Sequence, residues 1–154
     1  MIFPYLSSSR KFFRTMFAVA AIVFGACLAV TADAADSTQR TVIGQWKITA
    51  ALDSADITSL DDQEARKLLG RTLTINRKHF KFGERTCTSP DFAAELVDPA
   101  LYLREHYRAS ASQLGLPNPV TIVHLECTSA FIKDRNRLVI FWKGWFFEAV
   151  RTRP

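Results

Sequence analysis

Glycine is scarce in this chain, six in 154 residues, and none cluster, so no glycine-rich loop can cradle a phosphate. Cysteine is limited to Cys27, Cys87 and Cys127, with no Cys-x-x-Cys pair, and His79, His106 and His124 stand far apart. That spacing does not suit a structural zinc site, and no metal or cofactor is expected. Cations never run beyond two in a row, as at Arg66-Lys67 and Arg77-Lys78, so the basic stripe of a nucleic-acid binder is missing. No Gly-x-Ser-x-Gly elbow marks a nucleophile. No apolar run reaches the roughly 20 residues that span a bilayer.

The longest apolar run, Met16 to Val30, is the most informative feature present. Arg10, Lys11 and Arg14 precede it, and Ala32-Asp33-Ala34 follows as a small-x-small cleavage pattern. Together these read as a cleavable signal peptide over residues 1–34, with a periplasmic or secreted product and no stable membrane anchor after cleavage. A retained anchor and a lipid-modified Cys27 are the alternatives.

Cleavage would leave 120 residues, enough for one domain with a real core. Residues 1–34 hold three cations and one acid, so the net charge would fall from +5 to +3. Cys87 and Cys127 would remain as an even pair, which in an exported domain is most simply a disulfide.

Residues 35–40 are polar and read as frayed. Residues 41–50 alternate as a strand, with Trp46, Ile48 and Ala50 on one face. A short helix capped by Ser59 or Asp61 follows, ending near Gly70. Residues 71–76 and 79–82 read as strands, and 91–97 as irregular. Asp98-Pro99 opens a second helix, whose apolar stripe runs through Leu103 and Tyr107 to Leu114. Residues 120–128 read as one strand, placing His124 and Glu126 on one face. Residues 137–142 and 145–150 form a hairpin turning at Lys143-Gly144. The expected fold is α+β: five or six antiparallel strands in a curled sheet or small barrel, with two short helices.

Gly44-Gln45-Trp46 near the start and Arg151 at the end resemble the lipocalin and avidin-like barrels, the calycins. In that family a Gly-x-Trp opens the first strand and a late Arg stacks over the Trp at the closed end. The resemblance implies structural roles for Gly44 and Arg151 and a concave ligand face. The order Gly-x-Trp, Leu68-Leu69-Gly70-Arg71, Thr72-Leu73-Thr74-Ile75, Cys87, Leu114-Gly115-Leu116 and Cys127 also resembles small exported bacterial proteins, and that likeness implies a shared architecture and no chemistry.

Catalysis has little to build on. Asp61, Asp62 and Glu64 suit a helix N-terminus, and a His124–Glu126 acid–base pair is the enzymatic alternative. The expectation is a non-catalytic binder of a small apolar ligand, with Trp46, Phe80, Phe82, Trp142 and Trp145 as ligand-facing residues. An interaction protein, such as a periplasmic hydrolase inhibitor, is the alternative; it would use Lys143-Gly144 or residues 86–91 as an exposed loop.

Overall fold

The computed structural model of the protein describes residues 30–152. The export features at Arg10, Lys11, Arg14 and Cys27 lie outside these residues. Among the described residues, no helix is long and apolar enough to cross a membrane.

The first element, α1 (Val30–Val42), replaces the expected frayed lead. Its three alanines favour a helix, and Arg40 pairs with Asp36 one turn back. The strands that follow are β1 (Gly44–Ser54), β2 (Thr72–Ile75), β3 (His79–Phe82), β4 (Arg85–Thr88), β5 (Ala94–Val97), β6 (Val120–His124), β7 (Ser129–Asp134), β8 (Arg137–Trp142) and β9 (Trp145–Arg151). They make one antiparallel sheet in the order β4-β3-β2-β1-β9-β8-β7-β6-β5, curled into a half-barrel. Two short helices complete the fold, α2 (Asp62–Arg66) and α3 (Pro99–Tyr107). The architecture is mostly β rather than α+β, and nine strands stand where five or six were expected.

Two register shifts in β1, between Ile48 and Ala50 and between Ala51 and Asp53, bend the longest strand. Its first part pairs with β2 and β9, and its second part with β9 alone. The curl carries β4 at one margin close to the β6–β7 turn near the other. There Cys87 and Cys127 form the disulfide, with their Cα atoms 6.3 Å apart. In the chain-entropy picture, tying residues 40 apart is worth roughly 3–4 kcal/mol.

Curling also divides the core. The concave face buries Trp46, Ile48, Leu73, Phe80, Trp142 and Phe147. The convex face of β6–β9 buries Ile122, Phe131, Val139 and Phe146 beneath Leu103 of α3 and Leu114.

Several differences from the sequence reading have local causes. The α3 helix stops at Tyr107 because Arg108 turns left-handed (φ 50°) and the Ala109 N–H returns to the Leu103 carbonyl. Leu114 is still buried, outside the helix. The strand read through residue 128 ends at His124: Glu126 takes φ 64° and the Leu125 N–H donates to the Thr128 carbonyl, so β7 runs back as a separate strand. Residues 94–97 are an edge strand, not irregular structure. Other expectations hold in detail. Asp61 and Glu64 form a reciprocal capping box on α2, and Asp98 caps α3.

The β8–β9 turn has positive φ at both Lys143 (52°) and Gly144 (89°), as a two-residue hairpin requires. It is not a free tip. The Gly144 carbonyl accepts from the Ala55 N–H, the Lys143 carbonyl accepts from the Ser59 N–H, and Gly144 is buried. A Cβ on Gly144 would lie 2.5 Å from the Thr58 Cα, and one on Gly44 (φ 150°) would lie 2.5 Å from Arg151 Nη1. Gly144→Ala and Gly44→Ala should each destabilise the protein by about 1–3 kcal/mol in urea unfolding. Gly70→Ala, whose Cβ meets nothing within 4 Å, should cost less. Equal losses at all three positions would contradict the steric account.

Candidate functional site

The residues expected to face a ligand are mostly core. Trp46 and Phe80 are fully buried, Phe82 and Trp142 nearly so, and Trp145 is half-buried. Trp142 packs against Phe80 (centroids 5.6 Å apart) and edge-on against Phe82 (5.4 Å). The Trp145 indole donates to the Leu60 carbonyl at 3.0 Å. Three of the five rings, Phe80, Phe82 and Trp142, are thus packed together on the concave face.

The Gly44, Trp46 and Arg151 group is assembled by register, because Trp46 and Arg151 are Cα partners across β1 and β9. The Arg151 guanidinium carbon lies 4.1 Å from the Trp46 ring centroid. The same guanidinium donates to the Ile43 carbonyl at 2.9 Å and to the Thr41 carbonyl. The Trp46 indole donates to the Val42 carbonyl at 2.9 Å. Burial lowers the Arg151 pKa from the ordinary arginine value.

At the other end of β9, a cleft of about 380 Å³ opens where the α2–β2 connection, the β3–β4 turn and the β8–β9 turn converge. Phe82 and Trp142 form its apolar floor, with Leu68 alongside. Arg71, Arg85 and Lys143 stand around it with Glu84. Phe82 and Trp142 are thus the two ring candidates that reach a ligand-accessible space. Arg71, Arg85 and Glu84 were missed as site residues. Only their convergence singles them out, and nothing in the linear sequence signals it.

No family model, curated protein or solved structure matches this chain.

A second polar group lies on the convex face. His124 does not pair with Glu126; its Nε2 is 2.9 Å from Glu95 on β5. The Ser129 hydroxyl is 3.5 Å from His124 Nδ1, at the outer limit of a hydrogen bond, and Tyr107 of α3 donates to Ser129 Oγ at 3.1 Å. Hydroxyl, imidazole and carboxylate in a row resemble an acyl-transfer relay. Ser129 is only 8% exposed, however, and its oxygen is occupied by the Tyr107 proton. The group acts as a clasp that ties β5, β6, β7 and α3 together. Burial raises the Tyr107 pKa, and burial with a hydrogen bond to Glu95 raises that of Tyr102.

The hydrogen bond from His124 holds the Glu95 carboxyl below the ordinary glutamate range. A lowered carboxylate pKa adds stability above the unfolded value, and that stability is lost as pH falls through the folded value. Both side chains are more than a third exposed, so screening keeps the pair below about 1 kcal/mol. Glu95→Gln should be slightly less stable than the parent at neutral pH, and the gap should close as the glutamate protonates. A gap that stays constant into strong acid would contradict the clasp.

Proposed function

We propose that this protein is an exported, non-catalytic binding protein that takes a small apolar ligand in the cleft over Phe82 and Trp142. The observation that carries this reading is the edge-on aromatic pair flooring an open cleft of about 380 Å³. That volume falls in the range of small-molecule sites. Phe80 backs the floor through its contact with Trp142. The Trp46–Arg151 stack is the pairing that the calycin likeness implies for a closed end.

A second reading, an interaction protein such as a hydrolase inhibitor, is favoured by Ile57. This residue is 79% exposed on a segment fixed by two backbone hydrogen bonds to the β8–β9 turn. A rigid, exposed apolar side chain is the kind of anchor that partner proteins bury.

Titration with the uncharged dye Nile red tests the first reading. Saturable one-to-one binding should quench tryptophan fluorescence. Leu68→Trp, which fills the cleft, should weaken binding about tenfold or more with the melting temperature unchanged. Absence of saturable binding, or binding indifferent to Leu68→Trp, would overturn it.

A further inference from the structure

The cleft's rim is more specific than its floor. Arg71, Arg85 and Lys143 are scattered in sequence, yet the fold brings them to one cleft from three elements. Arg71 lies just before β2, Arg85 opens β4, and Lys143 sits in the β8–β9 turn. Among the described residues, none of the three has an ion-pair partner within 4 Å. Elsewhere Lys133 is matched by Glu148 and Arg137 by Asp134. Glu84 is the one acid lining the cleft, which leaves a local excess of two positive charges.

Like charges gathered in a small space repel, and a low-dielectric aromatic wall strengthens their field. That arrangement attracts an anion. A free inorganic anion would leave the Phe82–Trp142 floor unused, and a neutral apolar molecule would leave the cations unanswered. We propose that the ligand is a free anionic amphiphile: one acidic group held by Arg71, Arg85 and Lys143, and an apolar body over Phe82 and Trp142. Arginine favours this role because its planar fork matches a carboxylate, phosphate or sulfate bidentately. The proposal rests on the reading of the cleft as a binding site and adds the chemical class of what enters it.

Calorimetric titration of the purified protein with decanoate, dodecyl sulfate and decanol, each below its micelle concentration, separates the two claims. Decanoate and dodecyl sulfate should bind at least about tenfold more tightly than decanol at low salt. The difference should shrink at high salt. Arg71→Gln combined with Arg85→Gln should abolish the preference by weakening decanoate and dodecyl sulfate about tenfold or more, without lowering the melting temperature, since both side chains are exposed. Equal binding of acids and alcohol would overturn this inference and leave the apolar-cleft reading standing. Binding of none of the three would overturn both. Binding only to vesicles containing phosphatidylglycerol would replace the free amphiphile with a membrane surface and so overturn the proposal.

Discussion

The Arg151 guanidinium does two things at one place, and the fold depends on both. Its face covers the buried Trp46 ring at 4.1 Å, and its N–H groups donate to the Thr41 and Ile43 carbonyls where α1 gives way to β1. A helix C-terminus leaves carbonyls without intrahelical partners, and it favours a nearby cation. The Trp46 indole supplies Val42. The last strand is thereby fastened to the first, and the end of α1 to both. Drawing a guanidinium partly out of water is costly and lowers its pKa, and the carbonyls of Thr41, Ile43 and Arg135, with the aromatic face, offset that cost. Gly44 belongs to the same group, because a methyl there would occupy the space of Arg151 Nη1.

With that end fastened, the sheet has one way to bury its concave face. The shifts in β1 curl it, and the Cys87–Cys127 bond holds its margins together. The rings of Trp46, Phe80 and Phe147 fill the interior. Burying one such side chain contributes about 1.5–3 kcal/mol, more than a surface pair such as Arg137–Asp134. Packing therefore governs stability, and charge is left to work at the margins. The filled interior displaces ligand access to the end of β9 away from Arg151, where Phe82 and Trp142 meet the cleft.

Much of this was legible in the sequence because it rests on local signals. The capping residues Asp61 and Asp98, the Lys143-Gly144 hairpin and the Phe80–Phe82 alternation each follow from side-chain chemistry within a few residues. The Cys87–Cys127 pair follows from the even count left when Cys27 is assigned to the expected signal peptide. What escaped was non-local or unmarked. The turn before β7 puts positive φ on Glu126, with no Gly, Pro or Asn to announce it, so the strand at 120 reads four residues too long and β7 is not read at all. The edge strand β5 has exposed residues on both faces and hence no alternation. Arg71, Arg85 and Lys143 meet only through the sheet order, and His124 finds Glu95 from an edge strand rather than Glu126 from its own.

Trp46 and Arg151 act as one unit of the fold. A double-mutant cycle of Trp46→Phe and Arg151→Met, followed by urea unfolding, measures it directly. The two losses should fall short of additivity by about 0.5–2 kcal/mol, the value of a guanidinium stacked on an indole. Losses that add to within about 0.3 kcal/mol would show that the residues stabilise the fold independently, and would contradict the claim.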